Sequence, residues 1–214
     1  MGNTNQTGAK RGKARKLLLD AALDLIRAKG YAATSVDELC ATAGVTKGAF
    51  FHHFPTKEAL GVAAACHWSE VTGAMFAAAP YHARQDPLAR VFGYLDLRRD
   101  LIAGAIPEFT CLIGTMAQET HVSSPAIAAA CDRSISGHAQ TLEADIAAAM
   151  AARGVAGFSA ASLALHTQAV LQGAFILAKA KGGPEAALDS VNHLRRYFEL
   201  LFKVDGKERN HDRE

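Results

Sequence analysis

Apolar residues recur along this chain at the three- and four-residue steps that gather them on one face of an α-helix. Leu18, Ala22, Leu25 and Ile26 mark the first such stripe, which predicts a helix over 13–29 closed by Gly30. Ser35 and Glu38 then stand in a capping-box pattern, in which hydroxyl and carboxylate each take a backbone amide of the other residue, and a short helix is expected from Val36 to about Thr42. Gly44 supplies a turn, Val45 is apolar, and Thr46 is suited to cap a helix over 47–53. Phe54, Pro55 and Thr56 break that helix, and a fourth starts near Lys57 and runs to about Ala79. Downstream, a proline in the first helical turn marks starts after Asp86, Ser124 and Gly183. Helices are expected over 87–104, 108–119, 125–153, 159–181 and 185–203, about nine in total, in an all-α fold.

Composition agrees with helix. Ala is abundant, aromatic residues make up 7% and there are 6 prolines, a balance away from the β-branched, aromatic habit of sheet proteins. With 214 residues, 50% hydrophobic and 21% charged, the chain has enough apolar mass for a sizeable core, which excludes disorder throughout and collagen-like structure. No repeat at solenoid spacing is visible. Cys40, Cys66, Cys111 and Cys131 lie far apart without a CxxC pair, so neither a disulfide framework nor a metal site is expected. No apolar run is read as approaching the roughly 18 residues of a membrane span, and no secretory h-region follows the polar N-terminus. A cytoplasmic protein with no membrane partner and no cofactor is the expectation.

Charge changes the picture. The net +2 conceals nine Lys and Arg against four Asp and Glu up to Lys57, and fourteen against seventeen thereafter. Positive charge gathered at one end is the footprint of a module that meets a polyanion. The chain is therefore divided into a flexible basic tail (1–12), a basic helical domain (13–58), a larger helical domain (59–204) and a polar C-terminal tail (205–214).

Two short helices joined by a glycine turn, with the second helix capped, make a helix-turn-helix, whose second helix enters the DNA major groove. The residues here are specific: Gly-Tyr-Ala-Ala-Thr-Ser-Val at 30–36, Ala-Gly-Val-Thr-Lys-Gly-Ala at 43–49 and His-His-Phe-Pro-Thr-Lys-Glu-Ala-Leu at 52–60. In this stretch the chain resembles the TetR/AcrR family of one-component transcriptional regulators. The remainder is similar in length and helical layout, and Cys-Leu-Ile-Gly-Thr-Met-Ala-Gln-Glu at 111–119 looks like one subgroup of that family. The resemblance implies an N-terminal DNA-binding domain, a larger C-terminal effector and dimerisation domain, and a symmetric homodimer on double-stranded DNA.

By position, the resemblance places Lys47, Gly48 and Ala49 where family members read base edges. Lys47 reaches a guanine acceptor or phosphate, and Ala49 offers a methyl to thymine. It implies phosphate contacts for His53 and Lys57. Thr46, Thr34 and Ser35 sit at helix starts, where hydroxyls and free amides meet phosphate. Phe51 stands where the family usually has Tyr, which leaves stacking or methyl contact, and His52 lies at a variable position facing groove or solvent. Phe50 and Phe54, four apart, are read as core. His52 and His53 point about 100° apart on a helix, so a shared metal ion is not expected there.

The segments 159–181 and 185–203 carry stripes that the family pairs across a two-fold axis. Leu163, Val170, Gly173, Leu177, Val191, Leu194, Phe198 and Phe202 are the candidate dimer residues. Trp68, Phe76, Phe92, Cys111, Met116 and Phe175 are candidates to line an effector cavity, with His67, Gln118 or Gln172 as polar anchors. The chain has no GxSxG, HExxH, P-loop or GxGxxG motif, and no enzymatic activity is expected. The reading is a ligand-responsive repressor that leaves a palindromic operator when a small molecule binds. Two alternatives stay open: a helical protein-binding adaptor without DNA affinity, and a variant of the regulator in which a thiol such as Cys111 senses oxidants or electrophiles.

Overall fold

The computed structural model describes residues 4–204, with side chains from residue 12 onward. All regular structure among these residues is helical: α1 (Thr4–Lys29), α2 (Val36–Ala43), α3 (Lys47–His53), α4 (Lys57–Ala77), α5 (Pro87–Asp100), α6 (Ile106–Phe109), α7 (Leu112–Thr120), α8 (Pro125–Arg153), α9 (Ala160–Lys181) and α10 (Glu185–Leu201), with a 3-10 turn at Pro80–Ala83. Residues 1–3 of the expected basic tail and the whole expected polar tail 205–214 lie outside the described residues. The first helix starts at Thr4 instead of near Lys13, through a polar stretch over 4–12 that carries no apolar stripe. The single helix expected over 108–119 is two, α6 and α7, because Cys111 between them takes extended backbone (φ −84°, ψ 124°).

Local chemistry fixes the helix ends. Ser35 Oγ accepts from Glu38 N at 3.2 Å and the Ser35 amide donates to Glu38 Oε2 at 3.0 Å, which completes the capping box of α2. Gly44, at φ 63°, ends α2 in the left-handed region that a side chain would disfavour. Ser159 caps α9, its Oγ accepting from Ser162 N at 3.1 Å. Asp86 caps α5 ahead of Pro87, its carboxylate accepting from Leu88 N at 3.2 Å.

The helices form two compact units. One takes in the chain up to Ala77 together with Pro107–Ser136; the other holds Ala78–Ile106 and the chain from Gly137 onward. In the first, Leu18, Ala22 and Ile26 of α1 meet Leu39 of α2, Phe50 of α3, Leu60 of α4, Leu112, Ile113 and Met116 of α7 and Ile127 of α8 in one core. Each such large side chain stabilises the unit by roughly 1.5–3 kcal/mol when fully buried. The helix-turn-helix therefore shares its core with α7, so its placement is not set by three helices alone.

In the second unit α10 packs along α9 and against α5. Its interior holds a polar centre: Arg98 Nε donates to the Tyr94 hydroxyl at 2.9 Å, Arg98 Nη2 to His138 Nε2 at 2.7 Å, and Gln168 Nε2 to Tyr94 at 3.1 Å. The Tyr94 hydroxyl lies 3.1 Å from the same His138 nitrogen that accepts from Arg98. Burial, and secondarily the Arg98 cation, push the His138 imidazole down to about 3. One sequence expectation changes here. By length and composition α9 is apolar enough to cross a membrane, since its two lysines, Lys179 and Lys181, fall in the last turn; its Thr167 and Gln168 are buried inside this unit.

Candidate nucleic-acid interface

The turn between α2 and α3 is short because Gly44 and the Thr46 cap let the chain reverse without a loop. Thr46 Oγ1 accepts from Ala49 N at 3.1 Å, which holds the first turn of α3. Phe50 (0% exposed) and Phe54 (3%) anchor α3 from below, as their spacing predicts. The rest of the helix surface stays outside: Gly48 and His52 are exposed on the far face, Phe51 at its flank and Lys47 at the first position of the helix, and Ala49 and His53 are half-buried. Phe51 presents its ring edge-on to Phe50, with centroids 5.1 Å apart.

The Lys47 ammonium sits 2.6 Å from Asp37 of α2, with the two side chains 60% and 68% exposed. The Asp37 hydrogen bond, and then its charge, raise the Lys47 pKa above the ordinary lysine value, so the group is a cation whenever DNA approaches. A pair this exposed is worth little to the fold and is readily exchanged for a phosphate or base edge. Lys57 is more committed. It donates to the Ala32 carbonyl at 3.3 Å and lies 4.4 Å over the Tyr31 ring, and burial lowers its pKa against the opposing pull of Glu119 and Glu38.

Two expected phosphate contacts have partners inside the protein. Thr34 is 1% exposed and its hydroxyl donates to Gly30 O at 2.7 Å, so the side chain serves the α1–α2 turn and does not face DNA. Ser35 is exposed, but its hydroxyl donates to Glu38 Oε2 at 2.9 Å while accepting the Glu38 amide. The Glu38 carboxyl, held down to about 2 first by Lys29 and then by the Ser35 amide and hydroxyl, places a negative charge at that spot. His52 and His53 belong to no cluster of three metal-ligating side chains among the described residues.

The other candidates divide between the units. Trp68, Phe76, Cys111 and Met116 fall in the first, Phe92 and Phe175 in the second. Met116 is wholly buried in the core beneath the helix-turn-helix. Trp68 carries the Arg27 guanidinium 5.3 Å over its ring, and Arg195 stacks 4.6 Å over Phe92. Of the polar anchors, His67 Nε2 bonds Asp20 at 3.2 Å and Gln118 turns back to Gly114 O at 2.9 Å. Thr110, buried just before α7, has a hydroxyl without a hydrogen-bond partner among the described residues.

The dimer candidates are also re-sorted. Leu163, Val191, Leu194, Phe198 and Phe202 are buried within the protomer, since the stripe that looked available is consumed where α9 and α10 pack on each other and on α5. Val170 and Gly173 are half-buried and Leu177 is exposed. The apolar groups left outside are Leu165, Ile176 and Leu177 on α9 with Tyr197 and Leu200 on α10. The residues that sequence reasoning missed at the interface, Asp37, Tyr31 and Glu119, act through partners distant in sequence; only their charge or ring marked them.

A capped, outward helix with a cation at its first position, seated on two buried phenylalanines behind a glycine turn, defines a helix-turn-helix DNA-binding protein. Residues 18–64 match the family model for bacterial regulatory proteins of the tetR family, and residues 87–193 match that for the C-terminal domain of LmrA/YxaF-like transcriptional regulators. The chain belongs to the TetR family of transcriptional regulators.

Among curated proteins, the uncharacterized HTH-type transcriptional regulator YuxN of Bacillus subtilis is 49% identical over 45 residues, 21% of this chain and 16% of that protein. The transcriptional regulator AcuR of Cereibacter sphaeroides is 29% identical over 106 residues, 50% of this chain and 48% of that one. The chain thus spans about half the length, or less, of these relatives. A TetR-family transcriptional regulator from Agrobacterium tumefaciens superposes with a TM-score of 0.76 at 22% identity, over 89% of this chain and 98% of that one, a likeness of fold.

Proposed function

We propose that the protein is a ligand-responsive repressor that binds a palindromic operator as a homodimer and is released by a small-molecule effector. The observation that carries this reading is the exposed face of α3, where Lys47 stands beside Gly48 on a helix fixed from behind by Phe50 and Phe54. In the groove Lys47 leaves Asp37 for a guanine acceptor or a phosphate, Ala49 and Phe51 touch apolar base edges, and Thr46, His52, His53 and Lys57 meet the backbone.

The homodimer is assigned to the exposed stripe Leu165, Ile176, Leu177, Tyr197 and Leu200, with Gly173 and Val170 at its margin. Two-fold pairing spaces two copies of α3 for consecutive major grooves, about 34–36 Å apart. Trp68, Phe76, Cys111 and Met116 remain effector candidates within the first unit, where the buried Thr110 hydroxyl adds a polar anchor for one functional group of a ligand, and Phe92 and Phe175 remain candidates within the second. The role is that of a regulator acting on DNA in the cytoplasm, not a catalyst. Selection of bound duplexes from a random pool tests the reading. Enrichment of an inverted repeat is expected; unselective recovery at moderate salt would refute it.

A further inference from the structure

Glu119 is the last residue of the motif 111–119 and stands near the C-terminal end of α7, yet its carboxylate reaches the turn between α1 and α2. Its Oε2 accepts from the Ala32 amide at 2.7 Å. The second oxygen lies against Gly30, where a methyl group would overlap it and displace the carboxylate, and the φ of 95° at Gly30 is what requires glycine in this turn. The carbonyl of the same residue, Ala32, accepts from Lys57 of α4 at 3.3 Å, and Lys57 covers the Tyr31 ring. The Thr34 hydroxyl closes the turn onto Gly30 O. One residue of the reading head is therefore held at its N–H by α7 and at its C=O by α4.

This turn carries α2, and α2 carries Asp37, the partner of Lys47. The geometry points to Glu119 as a positioning residue for operator recognition: its bond to the Ala32 amide ties α7 to the helix-turn-helix and sets where α2 and α3 stand when the head meets DNA. The α7 side of this joint is rigid, since Leu112, Ile113 and Met116 are buried in the core that also holds Leu39 and Phe50. A displacement of α7 is thereby passed to the head through the Glu119–Ala32 contact as well as through α4. The inference rests on α3 being the groove-reading helix.

The test compares the intact protein with Glu119→Gln, Glu119→Asp and Glu119→Ala, and with Lys47→Ala as reference. The probes are a duplex carrying the sequence that the wild type enriches from a random pool and an unrelated duplex of the same length. Gln keeps an oxygen at the same reach, whereas Asp keeps the charge but withdraws it by roughly 1.5 Å. The ratio of affinities for the two duplexes is expected to fall about tenfold in Glu119→Asp and Glu119→Ala and to stay within about twofold of wild type in Glu119→Gln. Denaturation midpoints accompany each measurement, and if Glu119→Ala does not fold, the Asp and Gln pair carries the test alone. A lowered midpoint with an unchanged affinity ratio in Glu119→Asp would overturn the proposal alone, because Glu119 would then be structural only. Loss of the ratio in Glu119→Gln with retention in Glu119→Asp would overturn it too, since charge and not contact would matter. Unchanged binding in Lys47→Ala, or no enrichment by the wild type, would overturn the reading of α3 beneath it.

Discussion

Gly48 lies on the outward face of α3, and a methyl group there would meet only Thr46 Oγ1, at an ordinary 3.8 Å. Nothing in the protein itself requires glycine at this helical position. Gly48→Ala is therefore expected to raise stability by about 0.5–1 kcal/mol, through the lower backbone entropy of the unfolded chain. Close approach to DNA makes the opposite demand, so the same variant is expected to bind the selected duplex more weakly. Parallel denaturant melts and binding titrations check this, and a variant that is both more stable and equally tight would show that the space over Gly48 is not used.

His138 makes a second prediction at this scale. Its folded pKa, pushed down to about 3, lies below the unfolded value of 6.5, so between those values the unfolded chain binds more protons than the folded one. Stability from this group is complete above pH 6.5 and is lost as the pH falls toward 3, with a limiting slope of ~1.4 kcal/mol per pH unit. The wild-type denaturation midpoint is expected to drop between about pH 7.5 and about pH 5. His138→Gln flattens that dependence, and equal dependences in the two proteins would contradict a buried neutral imidazole.

Elements differ in how much of them the sequence displays. Helices bounded by local chemistry are readable: the Ser35–Glu38 box, the Thr46 cap and the Asp86–Pro87 start all sit within four residues of what they fix. The N-terminal extension of α1 and the break at Cys111 are not readable, because the first lacks an apolar stripe and the second is a backbone angle set by what surrounds it. Site residues follow the same rule. The exposure of Gly48 and His52 follows from the burial of Phe50 and Phe54 on the other face of one short helix, which periodicity shows, whereas Lys47 falls by spacing on the side of the two phenylalanines and is exposed at the first position of α3. Thr34 defeats such reasoning, since its hydroxyl is claimed by Gly30 O inside a turn, and so does Glu119, whose partner is 87 residues away. A helix stripe likewise does not say whether it faces its own chain or another: Leu194 and Phe198 fill the protomer while Leu200 stands 78% exposed.

At the scale of the whole molecule, recognition of an inverted repeat requires two reading heads, and the apolar groups left outside on α9 and α10 are where a second copy is assigned. Ile176→Glu combined with Leu177→Glu places charge on that stripe without touching α3. Light scattering is expected to give a mass near 22.6 kDa for this variant and twice that for the wild type. Binding to the full inverted repeat should weaken together with the dimer. An unchanged mass would move the interface elsewhere on the second unit.

The groove-reading role of α3 is tested most directly by titrating wild type and Lys47→Ala against the enriched duplex over a range of salt concentrations. Weaker binding by the variant is expected, with a salt slope shallower by about one if Lys47 meets a phosphate and with relaxed preference at one base pair if it meets a guanine. Superimposable affinities, slopes and sequence preferences for the two proteins would contradict the assignment of α3 as the helix that reads DNA.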